Sequence, residues 1–382
     1  MKKPRFPIVD LGWQSWSPCP SARIHIPLRN YAPHPYHPLL YAPVAIPKRR
    51  MKKPVTGWCT WQAYGTHIDE EKILSHADFI TEHRLPLTYI LIDDGWTTWG
   101  NWLTPDRDTF PHGMRWLAQR LTHMGLRPGL WIAPFLVDPD ASLARRYPAW
   151  LVRDSSGNPV DGRKITPFDR NMPYRKWILD LARRDVREYL FHCIHTIVHT
   201  WGFQFLKLDF LYAQHFHPTY RASAIPDRLL KNFLSRIKTR YPSVHIAACG
   251  CPLAPAVGVV DSMRISEDII NPQLRGTWPL NSIIHTRRLR QLMQNLRVRK
   301  WTNRYWLLDP DALVTNPLFG FSREQIRSLR DTIRTANGLM FLGDNLLRLE
   351  RKTLRSEILP LFHEPYLENH SSKIFFAIGA AT

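Results

Sequence analysis

From Gly57 to Asp344 the chain repeats one alternation, a short and almost wholly apolar run followed by a stretch with apolar residues at helical spacing. This restricts the fold to βα units, because a parallel strand is buried on both faces by its connecting helices and reads as a continuous apolar run. The runs are GWCTW at 57–61, LTYILIDDGW at 87–96, RPGLWIAPFLV at 127–137, FQFLKLDFLY at 203–212, VHIAACG at 244–250, SMRISED at 262–268, YWLLDPDAL at 305–313 and GLMFLGD at 338–344. Eight such runs fit a (β/α)8 TIM barrel. Helix signals lie between them. Asp69 is an N-cap with Glu70 and Glu71 in the first turn and Ile73, Ala77 and Ile80 as its stripe. A second stripe, Met114, Leu117, Leu121 and Met124, stops at Gly125, and a third runs Val186, Leu190, Cys193, Ile197 and Trp201. Further helices are expected near 283–296 and 322–336.

With 382 residues and 44% hydrophobic content, one large domain can bury its own core. The expected division is a short N-terminal arm with a Pro-rich linker over 1–54, the catalytic barrel over 55–358 and a tail over 359–382. No run approaches the roughly 18 apolar residues that span a bilayer, and the basic start lacks the apolar stretch of a signal peptide. A cytoplasmic protein without a membrane partner is expected. Five cysteines in no zinc-type spacing argue against a disulfide framework or structural zinc. The net charge of +20 is the one pull toward nucleic acid, yet Lys and Arg are spread along the chain, with one compact run, KRRMKK at 48–53. No nucleic-acid-binding motif accompanies it, so such a partner is not expected. A nucleic-acid-associated basic protein and a non-catalytic sugar sensor stand as the readings outside enzymes.

The charged residues fall at one end of the runs. Asp93, Asp94, Asp209, Asp268, Asp309 and Asp311 lie at or near C-terminal strand ends, with Lys207 and Arg264 just before two of them. A barrel collects that rim into one mouth. Lys207 and Asp209, two apart on one strand face, allow a purely structural ion pair, but independent pairs need not share one end of every strand. No strand end carries a histidine, and His192, His195 and His199 fit a solvated helix face, so neither a metal nor another cofactor is expected. Acids beside Trp96, Trp102 and Trp131 suit a sugar, whose C–H face packs on aromatic rings. Trp13 and Trp16, in LGWQSWSP, either plug a crevice or wall such a site. Paired carboxylates cleave glycosidic bonds, and the places of Asp209 on the fourth run and Asp268 on the sixth are compatible with facing positions across the mouth.

IDDGW at 92–96, GLWIAPFLV at 129–137, KLDFLY at 207–212, ACGCPLAPAVGVVDSMRISED at 248–268 and DPDAL at 309–313 together resemble glycoside hydrolase family 36, the melibiase-type α-galactosidases. GWCTW and GWQSWSP resemble further pieces of it. The resemblance runs in order over roughly 57–345. It implies a retaining mechanism on an α-galactoside, with Asp209 as nucleophile and Asp268 as acid/base, and Glu267 as the rival acid on the opposite strand face. Lys207 and Arg264 are then expected to keep Asp209 ionised. It also implies that Asp93 and Asp94 bind sugar hydroxyls, that Trp131, Lys207, Cys249 and Arg264 line the pocket, and that Trp16 or Trp13 reaches the sugar. A related α-glycosidase acting on another α-sugar, or an enzyme that transfers the glycosyl group to a sugar acceptor as raffinose synthases do, uses the same two carboxylates. Family members commonly carry a large N-terminal β-sandwich and a C-terminal β domain. The expectation is therefore a short form whose rim is open or covered by another subunit in a homo-oligomer.

Overall fold

The computed structural model describes residues 15–16, 53–162, 175–219 and 225–362. Trp13, Cys19, nearly all of the 1–54 arm with residues 48–52 of its KRRMKK run, and the tail beyond 362 lie outside the described residues.

Barrel strands β1 (Val55–Cys59), β2 (Tyr89–Ile92), β3 (Arg127–Ile132), β4 (Phe205–Leu208), β5 (His245–Ala248), β6 (Ser262–Arg264), β7 (Leu307–Asp309, continued by Ala312–Leu313) and β8 (Leu339–Leu342) are joined by parallel pairing. β7 pairs with β6 through Leu307–Asp309, and its continuation pairs with β8, which pairs with β1. The ring thus closes through an interrupted strand. The interruption is Pro310 and Asp311: proline has no N–H for the ladder, and Asp311 has φ of 75°.

Helices α1 (Glu70–Glu82), α2 (Gly113–His123), α3 (Arg184–His195), α4 (Ile225–Arg240), α5 (Leu280–Arg299) and α6 (Arg323–Ala336) cover the outside. The expected cap at Asp69 forms, accepting from Lys72 N at 2.8 Å. At the start of α6, Ser322 and Gln325 add a reciprocal capping box. His192 and His199 are exposed, and His195 contacts the Tyr241 hydroxyl at 2.5 Å.

Two apolar layers result. One lies between sheet and helices, and the other fills the lumen with alternate strand residues that include Tyr89, Leu91, Phe205, Leu307 and Phe341. Gly57 makes room there, since a Cβ at this position would meet the Phe341 ring at 2.6 Å.

Three strand expectations need correction. The run 127–137 is not one strand: β3 ends at Ile132, and Leu136–Val137 pairs antiparallel with Trp177–Ile178 in a separate small sheet. β7 is split. β6 stops at Arg264, so the alternation that set Glu267 and Asp268 on opposite faces does not reach them.

Candidate active site

The inward positions of the strands end in polar groups at the C-terminal rim. Asp209 follows β4 and is 7% exposed. One oxygen accepts Trp131 Nε1 from β3 at 2.9 Å, and the other accepts the Phe210 amide at 2.7 Å. Phe210 carries φ of 53°, a left-handed turn that folds its amide back onto the carboxylate. Burial pushes the Asp209 carboxyl above its ordinary range, against the pull of Lys207 and the Trp131 bond, and the Asp268 charge adds to the push.

Lys207 does not pair with Asp209. Its ammonium sits 2.7 Å from Asp93 Oδ2, both side chains buried. Burial disfavours the ammonium, but Asp93 beside it keeps the amine well above the ordinary lysine value. Arg264 is likewise engaged elsewhere. It reaches Asp268 Oδ1 at 3.0 Å, Asp311 Oδ1 at 2.8 Å and Asp309 Oδ2 at 3.4 Å. The expectation that Lys207 and Arg264 jointly hold Asp209 ionised therefore gives way. Lys207 acts at a distance, Arg264 serves three other carboxylates, and burial outweighs the attraction.

Asp93 and Asp94 occupy the turn after β2. Asp93 accepts the Asp94 amide at 2.9 Å, and Asp94 accepts Trp99 Nε1 at 2.8 Å. Burial raises the Asp94 carboxyl to about 6 despite that bond. Gly95 closes the turn at φ of 114°, and a Cβ there would stand 2.4 Å from the Thr66 carbonyl.

Asp268 lies on the segment after β6 with its side chain 36% exposed. Its second oxygen accepts Trp61 Nε1 at 3.1 Å, and its backbone carbonyl accepts Arg288 Nη1 at 3.0 Å. Glu267 is also half-buried. Asp311, raised to about 6 by burial against the opposing Arg264 charge, also accepts Gln62 Nε2 at 2.7 Å and the Ile269 amide at 2.7 Å.

The N-terminal stretch reaches the same rim. Ser15 donates to Cys251 O at 2.9 Å and accepts the Cys251 amide at 3.1 Å. Arg299 also donates to the Ser15 carbonyl. Trp16 then donates Nε1 to Cys249 Sγ at 3.3 Å and packs edge-on to Phe210 at 5.3 Å and Tyr212 at 5.8 Å. Burial pushes the Cys249 thiol well above its ordinary value.

The rim thus brings together Asp93, Asp94, Trp131, Lys207, Asp209, Cys249, Arg264 and Asp268, with Trp16 beside them. Trp96 and Trp102 are instead fully buried, Trp96 donating to the Trp131 carbonyl at 2.9 Å. Sequence reading missed Trp61, Trp99, Gln62 and Lys176. Lys176 stands 4.8 Å above the Trp99 ring and pairs with Asp138. Only Trp61 and Gln62 had a signal, their place at and just after the end of the first run.

Comparison with known proteins meets this geometry. The family described as Melibiase matches residues 31–256. The chain belongs to the melibiase family. An alpha-galactosidase from Thermus thermophilus, solved with p-nitrophenyl alpha-D-galactopyranoside, is 27% identical with a TM-score of 0.70 over 83% of this chain and 64% of that one. The alpha-galactosidase AgaA of Geobacillus stearothermophilus is 25% identical over 207 residues, half of this chain and 26% of its own length. Its crystal structure shares the fold at a TM-score of 0.60 and 18% identity. The chain thus spans about a quarter of the length of the curated melibiase relatives it matches. The family match covers Asp93, Asp94, Trp131, Lys207, Asp209 and Cys249 and ends before Arg264 and Asp268.

Proposed function

We propose that this chain is a retaining α-galactosidase acting on terminal α-galactosyl residues of small oligosaccharides, with residues 55–358 as its catalytic unit. Asp209 attacks the anomeric carbon while Asp268 protonates the departing glycosidic oxygen. Asp268 then takes a proton from water, which attacks the same carbon and releases Asp209 with the anomeric configuration retained. Asp93 and Asp94 accept hydrogen bonds from the sugar hydroxyls, and an epimer that leaves a buried acceptor unpaired is rejected.

The observation that carries this reading is the opposed treatment of two neighbouring carboxylates. Asp209 is buried with both oxygens held by donors, whereas Asp268 is partly open to solvent and close enough for its charge to act on Asp209. Activity on α-galactosides in proteins of this family supports the substrate.

A panel of 4-nitrophenyl α-glycosides tests anomer and sugar together, with the α-galactoside expected to turn over. Asp209→Gly should abolish turnover and regain it with azide, giving a product of inverted configuration; an unchanged rate in that variant rejects the assignment. Measuring free galactose against transfer product at high acceptor concentration separates hydrolysis from transfer to a sugar.

A further inference from the structure

Helix α5 carries a face that the barrel does not use. Its inner side buries His285, Leu289, Leu292, Leu296 and Arg299. The opposite side exposes Ile283, Arg287, Arg290, Gln294 and Arg297, and Trp301 continues the row just past the helix end. At 3.6 residues per turn these positions form one narrow stripe, basic in the middle and apolar at both ends. No acidic residue occurs from 269 to 308, which holds eight Lys and Arg.

The upper end widens into an exposed apolar group. Trp278 is 77% exposed, Ile283 65%, Leu318 53% and Leu280 50%. The Leu318 carbonyl accepts both the Gly276 amide and Asn281 Nδ2 at 2.8 Å, so the 317–320 turn lies against this segment. At the lower end Trp301 is 39% exposed, with the Arg304 guanidinium 5.2 Å from its ring.

We propose that this face docks on an anionic lipid bilayer. Helix α5 lies flat, its arginines over the headgroups, while Trp278, Leu280 and Ile283 at one end and Trp301 at the other enter the acyl boundary. No described helix is long and apolar enough to cross a membrane, and a surface contact needs none. Charge selects the occupant. A second copy brought up by a two-fold axis would set Arg287 and Arg290 against their own counterparts in a chain of net charge +20. A nucleic acid would suit the arginines and the indoles but would set aliphatic Leu280, Ile283 and Leu318 against phosphates. A bilayer accepts both halves, since tryptophan prefers its interface, basic residues are drawn to anionic lipid, and two weak signals together give stable attachment.

The test is cosedimentation of the whole chain with phosphatidylcholine vesicles and with phosphatidylglycerol-rich vesicles. Binding is expected only to the second, weakening as salt rises. Arg287→Glu with Arg290→Glu should lower the partition roughly tenfold or more, while Arg287→Lys with Arg290→Lys keeps it. Trp278→Ser with Ile283→Ser should weaken binding with the charge intact. Far-UV circular dichroism and thermal melts show that each variant is folded. Absence of binding to anionic vesicles, equal binding to both lipids, full binding by the folded Glu variant, or tighter retention on single-stranded DNA than on the vesicles would each overturn the proposal. The inference does not depend on the catalytic reading.

Discussion

Asp209 is held in a site that resists its charge, so the donors around it set where it ionises. Trp131→Phe keeps an aromatic ring and deletes the Nε1 bond. Losing a hydrogen bond to a charged group costs about 1.5–3 kcal/mol, so kcat/KM should fall roughly ten- to a hundredfold. Because that donor favours the ionised form, the acid limb of the pH profile should also move to higher pH; an unmoved limb would show that the bond does not tune Asp209. Asp94 gives a stability prediction. Its carboxyl is raised to about 6 in the fold and lies near 3.9 in an unfolded chain. The folded state therefore binds more protons between those values, and this contribution to stability, complete below about pH 4, is lost as pH rises through about 6. Asp94→Asn should gain in urea midpoint over the parent at pH 7 relative to pH 4; an equal gap at both pH values would reject the sign. The acids themselves were legible because they stand at the ends of apolar runs. Their partners were not, because Lys207–Asp93 and Arg264–Asp311 join residues 114 and 47 apart in the chain, and adjacency along one strand suggested Lys207–Asp209 in place of the first.

At the scale of elements, the period of the apolar runs marked every barrel strand, since burial on both faces leaves little room for polar residues. Strand ends were harder. β2, β4 and β6 stop before the acids they present, and turns such as Asp93–Gly95 and Asp209–Phe210 aim those side chains. The first of these turns leaves only a glycine as its trace, and the second, with Phe210 in the left-handed region, leaves none. Gly95→Ala should lose on the order of 2 kcal/mol or more in chemical denaturation, with KM rising as the Asp93–Asp94 turn shifts; full stability would mean that the turn is not strained by a side chain. The split of β7 had a visible cue in Pro310, which sits between two acids and cannot donate to a ladder. The small sheet formed with Leu136–Val137 had none, because its partner strand begins 40 residues later at Trp177.

Across the whole molecule, the rim draws on residues from Ser15 to Asp311, and its connection to the N-terminal stretch rests on a few bonds. Trp16 covers the Cys249 thiol, which is 2% exposed. Trp16→Ala should make Cys249 the new site of maleimide labelling in peptide mapping, whereas the parent stays unlabelled there; no change would mean that other groups shield the thiol. The tryptophan pair in LGWQSWSP was legible as a motif, but no local pattern could tell which strand end it would meet. During synthesis Ser15 and Trp16 leave the ribosome long before Arg299, whose guanidinium fastens the Ser15 carbonyl. The wall they form can be secured only late in translation, so nascent chains stalled before Arg299 emerges should leave Cys249 open to labelling, and chains stalled well after it should protect the thiol.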